Sequence, residues 1–161
     1  MLHDLVNDTI RRCIIATYNK FNTFAEEVCE KVHNLGADAL KIMLTNTAPN
    51  AADTHFDTSV DLRLEATSNA LDLTTANGYT AGGAAVTVTT SSQAAGTYTL
   101  AANQVVFTAA GGSIGPFRYI VLYNNTGGAA ATRPLIAWWD YGSALTLADT
   151  DSLTAKFNNA N

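Results

Sequence analysis

The segment DTHFD places Asp53, His55 and Asp57 at alternate positions, so in an extended chain their side chains share one face. An imidazole between two carboxylates could hold a divalent cation, because both groups are common metal ligands. The same residues in a polar stretch more often describe a solvated loop, and no metal is expected. His3 and His33 have no suitable sequence partners. His33 is expected on a helix surface near its C-terminal end, where the helix dipole favours a cation. The segment ADTDS, Ala148 to Ser152, could pass for half of a calcium loop, but it lacks the ligand periodicity and closing glutamate of an EF-hand. A plain turn is expected there.

Nucleophilic and cofactor chemistry find no better footing. The chain has no GxSxG, no HExxH, no P-loop and no dinucleotide fingerprint. Ser113 has no histidine-plus-acid constellation beside it, and no Gly-rich segment leads into a convincing helix N-terminus that could cradle phosphate. No catalytic or cofactor-binding residue is therefore expected, and an enzyme is not. A hydrolase acting on cell wall or capsule would have only the acidic clusters behind it. Tyr119, Trp138, Trp139 and Tyr141 could form a platform for stacking sugars, although aromatics on adjacent strands more often fill a core or an interface. Cys13 and Cys29 are either reduced, half-buried thiols or a disulfide, within the chain or between subunits. The Cα separation decides between these.

Composition narrows the field further. With 14 Asp+Glu against 9 Lys+Arg, the chain is a poor tracker of phosphates, since nonspecific nucleic-acid affinity comes mainly from clustered basic residues. Charged residues make up 14% of the chain, against about a quarter in ordinary domains, and Ala, Thr, Gly and Asn fill the gap. Such a surface suits packing against other proteins. No run reaches the ~18 consecutive apolar residues of a membrane helix. The opening MLHDLVNDTIRRCIIATYNK does not read as a signal peptide, because Asp4 and Asp8 interrupt it and Arg11 and Arg12 come too late.

Two regimes must position these residues. From about Asp4 to Leu35 the apolar residues Leu5, Ile10, Cys13, Ile14 and Tyr18, then Phe24, Val28, Val32 and Leu35, follow helical spacing. Thr23 and Glu26 form a capping-box pattern, and Gly36 offers a left-handed stop. Between them Phe24, Ala25, Val28, Cys29, Val32 and Leu35 make one stripe, with Glu27, Glu30 and Lys31 facing away. After Gly36 short strands are expected at Leu40–Leu44, Val60–Glu65, Val86–Thr90, Thr97–Ala101, Val105–Thr108, Phe117–Tyr123, Pro134–Tyr141, Ala144–Leu147 and Leu153–Phe157. Turn-rich links such as NGYTAGG, SSQAAG and NNTGG separate several of them. The expected fold is mainly β: an N-terminal helical arm and helix over residues 1–36, then an antiparallel β-sandwich or jelly-roll-like body over residues 37–161, α+β overall.

Within that body GGSIGPFRYIVLYN is unusual. Its glycine-proline leader breaks regular structure, and FRYIVLY is apolar on both faces instead of alternating. Pairing it across a hairpin loop centred near Gly128 and Ala129 sets Arg118 opposite Asp140, Ile120 opposite Trp138 and Tyr119 opposite Trp139. The Arg118–Asp140 pair favours this register, because either charge buried alone costs several kcal/mol. Both faces of the hairpin are then expected to be covered, one by the core and one by a helix or a neighbouring subunit. The leader is expected to be a loop that lets the chain cross between sheets.

The segments KFNTFAEEVCEKVHNLGADALKIMLTNTAP, GYTAGG and GGSIGPFRYIVLYN with PLIAWWDYGSALTL resemble a family of small bacteriophage virion structural proteins. The resemblance covers most of the chain after about Tyr18. It implies a non-enzymatic component of the virion, of the capsid decoration (cement) kind, present in many symmetric copies. Its implied partners are the major capsid protein or neck and tail proteins, with homo-oligomers and without nucleic acid, membrane or cofactor. A neck or tail component, or a module binding a host glycan or receptor, is the alternative. The segment MLHDLVNDTIRRCIIAT departs from the family pattern as an added arm. Leu2, Leu5, Ile10, Cys13 and Ile14 of that arm, with Tyr119 and Trp139 of the hairpin, are the expected interface residues, and Cys13 the best placed for a covalent tie.

Overall fold

A computed structural model describes residues 16–55, 73, 75–127 and 133–157. The described chain is mainly β, and its strands pair antiparallel. The expected strand at Val60–Glu65 and the arm residues Leu2, Leu5, Ile10, Cys13 and Ile14 lie outside the described residues.

The centre is a five-stranded sheet. Strands β7 (Ile114–Asn124) and β8 (Leu135–Leu147) form a long hairpin, with β2 (Leu40–Thr45) on the far side of β7. One edge strand is β1 (Thr17–Lys20), paired with β8, and the other is the short β3 (Ala84–Ala85), paired with β2. A ribbon of β4 (Val88–Ala94) and β5 (Thr97–Ala102) and a pair of β6 (Val105–Thr108) with β9 (Ser152–Ala155) complete the strands. Alternation along β2 and β7 splits the apolar residues between two clusters. Ile42, Leu44 and Leu122 pack with Phe107, Val105 and Leu153 of the β6–β9 pair. Met43, Val121 and Tyr123 pack with Phe21, Leu135 and Trp138 on the opposite face. β7 is therefore covered on both sides, as its lack of alternation requires.

The hairpin register differs from the expected one. Tyr123 pairs with Leu135, but Leu122 pairs with Ala137, so Ile136 is an extra residue on β8. Ile136 and Ala137 consequently turn to the same cluster, as a bulge allows. From there to Asp140 each pair is displaced by one: Val121 faces Trp138, Ile120 faces Trp139, and Tyr119 faces Asp140. The two tryptophans exchange the faces that the simple hairpin assigns them. A second irregularity lies where Phe117 pairs with Leu145 and Tyr119 with Asp140, so Tyr141–Ala144 loop out of the ladder. Arg118 falls at this break. Its Nε and Nη2 donate to Asp140 Oδ1 and Oδ2 at 2.7 and 2.8 Å, and the Gly142 N–H donates to Oδ1 at 2.7 Å. The pair thus forms across a bulge and not across a ladder rung. It is partly exposed, not buried.

The N-terminal helical regime is shorter than its apolar spacing suggests. Residues 17–20, including Tyr18, form edge strand β1, and the helix α1 spans only Phe24–Cys29. Thr23 makes no side-chain cap bond, so the capping box does not form. The chain leaves the helix through Lys31 at φ 64°, well before Gly36. The reason is a buried contact: His33 Nε2 lies 3.1 Å from Glu27 Oε2. Six residues along a continuous helix would separate these two by about 240° around the axis. Glu27 and His33, expected on the outer face, are buried, whereas Val28 and Val32 are exposed.

Two loop motifs acquire structural roles. The leader carries the chain from β6 to β7 in the main sheet. Asp149 Oδ1 accepts from the Gly111 and Gly112 N–H groups at 2.8 and 3.3 Å, and Asn77 Nδ2 donates to the Ser113 carbonyl at 2.8 Å. Asp151 Oδ2 accepts the Ala148 N–H at 3.1 Å, so ADTDS is a turn whose carboxylates serve backbone donors. Strand β7 starts at Ile114, within the leader, and Pro116 falls inside a register shift, where a missing N–H is tolerated. In GYTAGG, the buried Tyr79 hydroxyl accepts the Leu44 N–H at 3.1 Å, and the Gly82 carbonyl accepts the Tyr123 hydroxyl at 2.8 Å. Gly83, at φ 72°, lies so close to β2 that a Cβ there would overlap the Ile42 carbonyl.

Replacing Tyr79 by Phe leaves the buried Leu44 N–H without this acceptor. We expect a loss of about 1–3 kcal/mol in urea unfolding, with an unchanged m-value. The Asp140 carboxyl is held below its ordinary pKa, first by the Arg118 hydrogen bond and then by the Gly142 N–H. A depressed folded-state pKa stabilises above the unfolded value, about 3.9, and that contribution is lost as pH falls through the lower folded value. Asp140→Asn should cost about 0.5–1 kcal/mol at pH 7. The gap to wild type should close on acidification below about pH 4; a gap that persists at pH 2 assigns the loss to packing instead.

Candidate docking groove

The ribbon β4–β5 has a different character from the rest. Its turn is Ala95–Gly96, both at positive φ (48° and 82°), the conformation that suits a two-residue hairpin turn. Ser91–Ala94, expected in the SSQAAG link, therefore extend β4. Along the ribbon Thr89–Thr99 are exposed. A Ser91–Tyr98 hydroxyl contact of 2.9 Å marks the face turned toward the helix. Gly36 meets that face: a Cβ there would sit 2.7 Å from Ser91 Oγ. The residue expected to stop a helix serves instead as a close-contact point for the ribbon.

Between ribbon and sheet runs an apolar groove. Its inner part, about 300 Å³, has Leu122, Ile136 and Ala137 among its lining, with Tyr18, Trp139 and Phe157 at one side. Its outer part, about 540 Å³, lies between Tyr98 and Ser91 of the ribbon and Lys20, Ala25 and Val28 opposite. Phe24, Leu35 and Tyr98 line both parts. Tyr18, Tyr98 and Val28 are 57%, 50% and 42% exposed, and all three converge here. Together they leave an exposed apolar patch along the groove. The expected helix stripe is thus partly recovered: Phe24, Ala25, Val28 and Leu35 do share one surface. It faces the groove, and Phe24 and Leu35 also pack against the core cluster. Trp139 meets Tyr18 edge-on at 5.7 Å and Phe157 at 6.0 Å.

A buried polar network backs the groove. Asn124 Nδ2 donates to Asp38 Oδ2 at 2.6 Å and approaches His33 Nδ1 at 3.2 Å, while His33 Nε2 meets Glu27 Oε2 at 3.1 Å. The amide donors require an acceptor at Nδ1, which puts the imidazole proton on Nε2, facing the carboxylate. Asp38 Oδ2 also accepts the Asn34 N–H at 2.7 Å. Both ring nitrogens are engaged, so the imidazole is tied into the loop that carries Leu35 to the groove. This network was not legible in the sequence. The spacing of Glu27 and His33 signals contact only once the helix is known to end between them.

The remaining expected site residues are dispersed. Tyr119 is buried on the opposite face, with the Arg118 guanidinium 5.2 Å from its ring centre. Tyr119 and Trp139 therefore do not form one platform. Cys29 is an exposed free thiol at the helix end, and its suggested partner Cys13 lies outside the described residues. His55 Nδ1 contacts Thr54 Oγ1 at 3.1 Å, and Asp53 Oδ2 accepts the Asn50 N–H at 2.9 Å. Asp57 lies outside the described residues. Among the described residues no three His, Cys, Asp or Glu side chains converge on a common point.

Asn124→Ala removes the donor that joins Asp38 to His33 and should cost about 2 kcal/mol, read from the thermal midpoint. Val28→Asp changes an exposed position and, measured on dilute monomeric chain, should leave stability within about 0.5 kcal/mol of wild type. A large loss at Val28 would mean that the groove is closed in solution. No family model matches the chain, and no curated protein or solved structure does so either.

Proposed function

We propose that the chain is a non-enzymatic structural protein of a bacteriophage virion, of the capsid decoration (cement) type, which assembles by docking on neighbouring subunits. The observation that carries this reading is the open apolar groove on a chain with so few charges. No charged residue occurs between Asp72 and Arg118, the stretch that includes the whole ribbon. A surface with little charge and an open apolar furrow is adapted to lasting contact with protein. The resemblance of the GGSIGPFRY and PLIAWWDYG segments to virion proteins points the same way.

On this reading the partners are other virion proteins, the major capsid protein or neck and tail proteins, together with further copies of the chain. The ribbon and the β6–β9 pair, whose apolar residues join one face of the main sheet, support an antiparallel sandwich or jelly-roll-like body. The helical spacing of the first residues supports an N-terminal arm. The net charge of −5 argues against nucleic acid as a partner. No helix among the described residues is long and apolar enough to cross a membrane. The His33 imidazole and the Glu27 carboxylate are occupied by each other, and Asp38 by Asn124 and the Asn34 N–H, which favours a packing role over catalysis.

A second reading rests on the aromatic rim. Tyr18, Tyr98 and Trp139 could stack on a host glycan. The two readings separate at Trp139→Ala. If the ring is a packing element, the substitution lowers stability by roughly 2 kcal/mol, less than the 3–5 of a fully buried tryptophan, and glycan-array binding is nil before and after. If it is a sugar platform, glycan binding falls while the melting temperature holds. The virion reading itself is tested by adding the purified chain to phage particles lacking it: saturable, stoichiometric co-sedimentation is expected, and its absence sinks the reading.

A further inference from the structure

We propose that the groove between the β4–β5 ribbon and the main sheet receives residues 1–15 of a second copy of this chain, so that copies join head to tail. The proposal deepens the structural-protein reading and rests on it for the presence of many copies. Three observations select this occupant.

The first is the segment's own pattern. On a helical path, at 100° per residue, Leu2, Leu5, Ile10, Cys13 and Ile14 fall within one half of the circumference and Asp4, Asp8, Arg11 and Arg12 within the other, Ile15 being an apolar exception among the charges. A strip with apolar anchors on one face and every charge on the opposite face suits a helix laid into an apolar furrow. The second is the furrow's lining. Lys20 is its only Asp, Glu, Lys or Arg side chain among the described residues, and Phe24, Val28, Leu35, Tyr98 and Trp139 offer apolar contact along its length. The third is direction. Strand β1 runs from Thr17, opposite Asp140, to Lys20, opposite Ala137. The groove opens beside Tyr18 and Trp139 and continues past Lys20 toward Phe24 and Val28, whereas the preceding residues join β1 at its Thr17 end. A chain filling its own groove would have to reverse at residue 16 and return beside β1. A second copy meets no such constraint. Because donor and receiver surfaces differ, the contact is heterologous and closes into rings or continues as an array.

The test uses full-length chains. Wild type should associate in sedimentation velocity. Val28→Asp, which damages the groove, and Ile10→Asp, which damages the arm, should each weaken association at least tenfold. Mixed one to one, they should form a heterodimer, because the intact arm of Val28→Asp fits the intact groove of Ile10→Asp. Tyr98→Arg and Leu5→Asp repeat the two sides, should either first variant fail to fold. A wild type that stays monomeric, variants that associate as wild type does, or a mixture that stays monomeric would each overturn the proposal. Monomeric wild type whose melting temperature drops on Ile10→Asp identifies the chain's own arm as occupant and overturns it too. Particle loading is scored separately. Heterodimers without loading leave the groove contact standing and remove the virion reading; loading without heterodimers does the reverse.

Discussion

The structure depends on one extra residue. Ile136 on β8 has no partner across the hairpin, so Ile136 and Ala137 turn to the same face. The residues from there to the next break in the ladder, at Asp140, are assigned to a face by it. Trp138 goes to the cluster with Phe21, at 4.5 Å between ring centres, and Trp139 goes to the side where Tyr18 and Phe157 meet it. Without the extra residue the tryptophans would trade places, and Trp139 would be lost from the groove. A period-two structure makes such a slip all-or-none, since no intermediate register satisfies both faces. The bulge therefore decides both how the core is filled and which aromatic ring is left at the surface.

A sheet buried on both faces raises a second demand, at its edges. Backbone groups that leave the ladder in an apolar setting still need partners. On the β2 side, β3 pairs with only Lys41 and Ile42. Further along, Leu44 donates to the Tyr79 hydroxyl and accepts from the Leu73 N–H. Tyr79 can reach because the GYTAGG backbone presses against β2, at a separation only Gly83 permits. The motif looks like a flexible linker in the sequence. It is a fitted edge seal, in which the glycine supplies proximity and the tyrosine supplies the acceptor.

Much of the β architecture was readable from the sequence. Val105–Thr108 is a strand at the expected bounds, and FRYIVLY announced its double burial by failing to alternate. What could not be read was anything that depends on one residue of offset. The Arg118–Asp140 pair was identifiable from charge alone, yet it forms at a break in the ladder, where side-chain reach and not register brings the groups together. The helix failed for a different reason. Its apolar spacing continues to Leu35, but the tertiary contact between His33 and Glu27 outweighs the modest propensity of those residues for another turn. Local pattern cannot anticipate a competitor supplied by Asn124, ninety-one positions away.

That failure also explains why a groove exists. Had the helix run to Leu35, Phe24, Val28, Val32 and Leu35 would have formed one continuous stripe able to lie flat on a sheet. Ending it at Cys29 splits the stripe: Phe24 and Leu35 stay packed against the core cluster, while Val28 and Val32 are left 42% and 46% exposed. The buried network stabilises the shortened form, since opening it would separate Glu27 from the His33 imidazole and Asp38 from the Asn124 amide. The ribbon cannot fold down to cover what remains. Its contact point is already fixed where Ser91 meets Gly36, and its own inner face ends in the partly exposed ring of Tyr98. The polar network and the apolar furrow are thus one device. Hydrogen bonds on the inner side hold the chain in a shape that keeps hydrophobic side chains in water on the outer side, and such a shape gains most when a second surface arrives to cover them.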